Sequence, residues 1–295
     1  MSPRQVFRLL KAAVREWNED EASRLAAALA YYTVFSLAPL LILVIAIAGF
    51  FFDSATVRDQ IVAQVQSLMG NSGAEFVRTV LDSANRPDEN SSLLASAISI
   101  ILLLAGATGV LTQLQDSLNK VWNVEQRPGL GLISLVRKRL LSFGMILGIG
   151  FLLLVSLVAS SFIAGFSEFF QAIMPGLDSL AQLLDFLLSF LLTTILFAAI
   201  FKFLPDVHIT WGDVWFGSAA TAILFSLGKF LIGLYLGNSG FGSTYGAAGS
   251  VIVLLIWTFY SAQILFFGAE LTQVYALRYG SRIVPNKFAV ESESS

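Results

Sequence analysis

The chain has 295 residues and a formal net charge of −2, with 13% of its residues charged and 56% hydrophobic. A soluble domain carries roughly 25% charged residues, and a mean hydropathy of +0.76 is more apolar surface than a water-soluble globule can hide. Zero cysteines and a single histidine, His208, exclude disulfide scaffolds, thiolate metal sites and cysteine nucleophiles, and leave no His-based zinc site. The small negative charge argues against nucleic acid as a partner. The composition is that of an all-α, polytopic membrane protein.

The chain opens on a basic amphipathic segment. Arg4, Arg8, Lys11 and Arg15 fall on one helical stripe, and Val6, Leu9, Leu10, Ala13 and Trp17 on another. Residues 1–19 are therefore expected to form a cytoplasmic helix that lies either on the anionic inner leaflet or on the protein's own loops. Residues 20–280 are expected to form the membrane domain. A span needs about 20 apolar residues, and six stretches meet this: Val34–Phe52, Leu93–Thr112, Leu140–Ala164, Leu180–Leu204, Val214–Leu236 and Ala247–Tyr275.

From Leu25 to Phe52 the first apolar run holds 28 residues, which at 1.5 Å each is ~42 Å, longer than a ~30 Å hydrocarbon core. Pro39 interrupts it and Ser36 lies one turn earlier, so this helix is either a kinked, well-packed element or a broken helix lining a cavity. Residues 53–91 carry apolar positions at helical spacing on both sides of Gly70-Asn71-Ser72-Gly73, which predicts two short helices forming an outside cap. Residues 281–295, ending Glu-Ser-Glu-Ser-Ser, read as a disordered cytoplasmic tail.

Lysine and arginine set the orientation. They crowd the N-terminal segment, the loop after the second span (Lys120, Arg127, Arg137, Lys138, Arg139), Lys202 and the tail. The alternate loops hold only Arg58, Arg78 and Arg86, so both termini are expected in the cytoplasm.

An ionisable group inside a span is a functional candidate by default. Lys229, within the fifth span, either snorkels outwards or faces the bundle interior to meet an anionic group. Glu270, Gln263, Asp116, Asn119, Lys202 and Asp206 gather near the cytoplasmic ends of their spans, either as a polar vestibule or as interfacial pairs that fix helix ends. Nothing in the chain has the spacing of a catalytic nucleophile, a metal site or a bound cofactor. The Gly-rich run Gly237–Ser250 lacks the Gly-Lys-Ser/Thr of a phosphate loop.

Three blocks together resemble the YihY/BrkB family of bacterial inner-membrane proteins. They are Asp20–Pro39, then Gly106-Ala107-Thr108-Gly109 with Leu118–Trp122, and last Leu204-Pro205-Asp206 with Gly228-Lys229, Tyr245–Ser250 and Gly268-Ala269-Glu270. The resemblance implies a six-helix fold in the cytoplasmic membrane. Members have been labelled ribonuclease BN or virulence factors, and the nuclease label finds no metal-holding residues here. The favoured reading is a non-enzymatic transporter or handler of an anionic lipid or other amphiphile, with membrane lipids as partners. The alternative is a scaffold for an envelope partner protein or a second copy of the chain. An intramembrane enzyme has the least support.

Overall fold

The computed structural model describes residues 2–49, 53–84, 93–128, 144, 148, 178–238, 247–280 and 283–292. They form seven long helices and two two-stranded ribbons: α1 (Pro3–Glu19), α2 (Ala22–Ala48), α3 (Ser54–Ala84), α4 (Leu93–Val121), β1 (Val124–Gln126), α5 (Asp178–Phe203), β2 (Val207–His208), α6 (Trp211–Asn238), α7 (Ala247–Tyr279), β3 (Val284–Pro285) and β4 (Ala289–Glu291). Four of them, α2, α5, α6 and α7, are long and apolar enough to cross a membrane. The second expected span falls within α4, and the third lies outside the described residues.

The helices pack through small residues. Ala22, Ala26 and Ala30 on α2 are buried one turn apart, where α2 meets both α4 and α7. Gly106 and Gly109 of α4 lie against the same helix: a Cβ on Gly106 would come 2.8 Å from Pro39 Cγ, and one on Gly109 would come 3.0 Å from Ser36 Oγ. α2 runs as one helix through Pro39, so of the two readings given for it the packed helix stands rather than the broken one. Ser36 and Pro39 meet the glycines of α4 instead.

Between the antiparallel α6 and α7 the fit is reciprocal. A Cβ on Gly217 would fall 1.7 Å from Thr272 Oγ1, and one on Gly268 would fall 2.0 Å from Thr221 Oγ1. Each threonine donates its hydroxyl to the glycine carbonyl four residues back on its own helix, at 2.7 and 2.6 Å. Its polarity is thus satisfied within the helix while its methyl group packs across the seam, as helices without a hydrophobic driving force require.

Of the segment 53–91, residues 53–84 are described and pack on the bundle as two helical arms. Gly70, at φ 72 and ψ −166, folds α3 into a helical hairpin, and its arms are joined by Arg58–Asp82 (2.8 Å) and at the tip by Gln66–Asn71 (2.8 Å). The hairpin lies alongside α2, α6 and α7. Val62, Ala74, Val77 and Leu81 close a core with Leu41 of α2. The apolar stripe that suggested amphipathic helices is buried against the bundle, which removes it from water more completely than a cap could.

The terminal segments also differ from expectation. α1 places Leu9, Ala12 and Ala13 against Leu271 and Val274 of α7. Residues 284–291, expected to be disordered, form β3 and β4. β4 pairs antiparallel with β1 and β3 with β2, and both ribbons satisfy backbone groups that a free tail would leave to water. These contacts bring α1, the exits of α4 and α5, and the C-terminal segment to one end of the bundle. Trp122 is buried in the main core.

Candidate functional site

A cavity of about 1150 Å³ opens between α5, α6, α7 and the tip of the α3 hairpin, reaching Leu29 on α2. Small-molecule pockets run at about 300–1,000 Å³, so this space suits a larger guest. Its walls are aromatic and aliphatic, with Phe186, Phe190 and Phe197 on α5, Phe225 and Phe230 on α6, and Trp257 and Leu265 on α7. Phe186 and Phe230 are also exposed on the outer surface, where lipid rather than water is their natural neighbour.

Polar groups are set into this wall in two places. The hairpin tip contributes Gln64, Gln66, Ser67, Asn71 and Ser72. The helices contribute Ser189, Thr193, Ser226, Thr258, Ser261 and Lys229, the single charged side chain of the lining. Among the described residues Lys229 has no ion-pair partner, and neither the Trp257 indole N–H nor the Thr258 hydroxyl has a hydrogen-bond partner. Gly228, beside Lys229, lets α6 approach Tyr260 and Ile264 of α7 closely. The arrangement can hold an apolar body and offer a cation and neutral donors to its polar end.

The other candidates lie elsewhere, in separate clusters. Asp206, 1% exposed, sits in the turn between α5 and β2. Its carboxylate accepts from Asn119 Nδ2 (3.0 Å), Gln115 Nε2 (3.4 Å) and Asn286 Nδ2 (3.2 Å). Its backbone N–H donates to Asn119 Oδ1 (2.8 Å), and its carbonyl accepts from the Asn286 N–H (3.0 Å). Asp206 and Asn119 therefore tie α4 to the C-terminal ribbon. Gln115 and Asn286 complete the tie, and sequence reasoning missed both because their partner is remote along the chain.

Lys202 donates to the Ile209 carbonyl and lies 5.6 Å from the Trp211 ring centroid, closing the α5–α6 connection. Asp116 is exposed on α4. Gln263 donates to Ser23 Oγ at 3.2 Å, which links α7 to the start of α2. Ser36 and Pro39 belong to the α2–α4 seam.

Glu270 is fully buried on α7. Among the described residues no donor reaches either of its carboxyl oxygens. What does reach them is the carboxyl of Asp20, at the elbow between α1 and α2. Burial pushes the Asp20 carboxyl above its ordinary range and the charges of Glu16 and Glu19 act in the same direction, while Glu270 and Lys120 pull it back. Asp20 was not among the candidate residues of the sequence, where it only opens the first of the three family blocks.

Comparison with known proteins follows the same outline. The family model described as Virulence factor BrkB matches residues 13–291. A UPF0761 membrane protein of Ralstonia nicotianae is 29% identical over 267 residues, covering 89% of this chain and 57% of that protein. One from Albidiferax ferrireducens is 30% identical (86% and 58%), and one from Neisseria meningitidis serogroup B is 28% identical (88% and 61%). The chain thus spans about three fifths of the length of these relatives. No solved structure matches it. A family match over nearly the whole chain, together with relatives named as membrane proteins and four helices of spanning length, places this chain in the BrkB family of membrane proteins.

Proposed function

We propose that this protein binds an anionic amphiphile in the cavity between the α3 hairpin and α5–α7 and carries it across the cytoplasmic membrane, with Lys229 holding the charged head. The observation that carries this reading is an unpaired lysine in an aromatic and hydroxyl-bearing wall, on a helix of spanning length. Charge inside a membrane is costly and calls for a partner. A phosphate or carboxylate head supplies that partner, and the Phe and Trp side chains supply contact for acyl chains. The Thr258 hydroxyl and the Trp257 indole N–H, without partners among the described residues, add neutral donors.

The reading includes six crossings with both termini in the cytoplasm. Its support is the clustering of α1, the α4 and α5 exits and the C-terminal ribbons at one end, the end that carries most of the lysines and arginines.

The test is movement of labelled anionic phospholipid across proteoliposomes, with protein-free liposomes as control. Wild type should exceed the control, Lys229→Ala should lower the rate about tenfold, equivalent to ~1.4 kcal/mol, and Lys229→Arg should retain most of it. A Lys229→Ala rate equal to wild type removes Lys229 from the reading. A folded wild-type protein no faster than the control removes transport and brings forward the scaffold for an envelope partner.

A further inference from the structure

Glu270 does not line the amphiphile cavity. It is 0% exposed, both its oxygens lack a donor, and it meets the carboxyl of a residue on another element. Carboxylate oxygens only accept hydrogen bonds. A hydrogen bond between two carboxyls therefore requires a proton on one of them, and two ionised carboxylates in contact at a buried site repel strongly.

We propose that Asp20 and Glu270 form a proton-binding site that clamps the α1–α2 elbow onto α7. The bond is O–H···O between the two carboxyls. Loss of the shared proton to water leaves two like charges facing each other, and the elbow must move or hydrate.

The surroundings sharpen this. Glu16 of α1 faces Glu270, while Glu16 and Glu19 of α1 and Lys120 of α4 face Asp20, so one cation stands against four acids when the pair is fully ionised. The elbow is a single turn: the Asp20 N–H donates to the Glu16 carbonyl at 2.8 Å, and Glu21 takes a positive φ of 53. Glu21 itself is paired outwards with Arg24. α1 is held on α7 by Leu9, Ala12 and Ala13, about two to three helical turns before this elbow, so releasing the elbow frees the end of α1 that follows that contact. The sign follows from burial. A carboxyl held above its ordinary range binds its proton more tightly folded than unfolded, so its contribution is full at low pH and is lost as pH rises through the folded value.

This site is independent of the amphiphile reading, and its test needs no transport. The full chain in lipid nanodiscs is examined by hydrogen exchange across residues 16–24, expressed as protection factors, and by infrared spectroscopy of protonated carboxyls. Wild type should show a carboxylic-acid C=O band at neutral pH, and elbow protection should fall about tenfold or more from acid to alkaline pH. Glu270→Gln and Asp20→Asn keep a donor between the two groups without a titrating proton. Each should remove the band and hold the elbow protected at every pH. The proposal is overturned if wild-type elbow protection is flat with pH, if the band survives both substitutions, or if both variants keep the wild-type pH dependence. Should one variant fail to fold, the other decides.

Discussion

Gly217 and Gly268 carry the seam between α6 and α7, since each faces a threonine of the opposite helix at a distance that admits no Cβ. Overpacking a tight interface costs about 1–3 kcal/mol, so Gly217→Ala and Gly268→Ala should each lower the thermal midpoint in detergent. Adding Thr272→Gly to Gly217→Ala removes the atoms that clash and should recover much of the loss, because the two positions are in direct contact. By contrast, a Cβ on Gly233, which has GxxxG spacing to Gly237, meets nothing within 4 Å. Spacing marked that glycine as a packing residue, but contact did not. The same scale governs Asp206. Asn119→Leu deletes a donor to a buried carboxylate, at a cost of about 1–3 kcal/mol. Limited proteolysis should then reach residues 284–291, which wild type protects through Asn286.

At the scale of elements, the α3 hairpin turns on Gly70, whose backbone conformation (φ 72, ψ −166) belongs almost exclusively to glycine. Gly70→Ala meets no neighbour, so its expected cost of about 1–3 kcal/mol is backbone strain alone. The measurable result is faster proteolysis at Arg58 and Arg78 as the arms part. α1 carries two apolar stripes, one packed on α7 and one exposed. Leu9 and Ala13 pack on α7, while Val6, Leu10, Val14 and Phe7, the last 69% exposed, form a second apolar stripe next to Arg4, Arg8, Lys11 and Arg15. Each basic residue at an anionic surface contributes about 1 kcal/mol. Replacing these four with Gln should weaken retention of anionic lipid, read by native mass spectrometry, and leave the thermal midpoint within about 0.5 kcal/mol of wild type, as for most exposed substitutions.

At the scale of the molecule, the described helices enclose a lateral cavity while their terminal segments interlock at one end. A folded reporter active only outside the cytoplasm should be silent when fused after residue 292 and active when inserted near Ser83, in the exposed arm of the hairpin. The opposite pattern would invert the orientation drawn from the basic residues. The ribbons β1–β4 and β2–β3 join chain positions more than 70 residues apart, and they cross-link the end that holds α1.

Composition, apolar run length and the placement of lysine and arginine determined a helical membrane protein and the positions of α2, α4, α5, α6 and α7, because burying a backbone in lipid leaves few alternatives to a long apolar helix. The blocks from Asp20 to Glu270 were also enough to identify the family. Lys229 stood out as a charge within an apolar run, and Glu270 for the same reason. Only the tertiary structure decided which of these charges meet. Asp206 with Asn286 and Glu270 with Asp20 are contacts between residues far apart in the chain, and Lys229 and the tip of α3 line one cavity, all set by how helices pack rather than by any local pattern. The hairpin shows the reason. Its amphipathic spacing announced that one face must be buried, but a periodicity specifies only the need for an apolar partner. The surface that meets it, here α2, α6 and α7 rather than the top of the bundle, is chosen by shape.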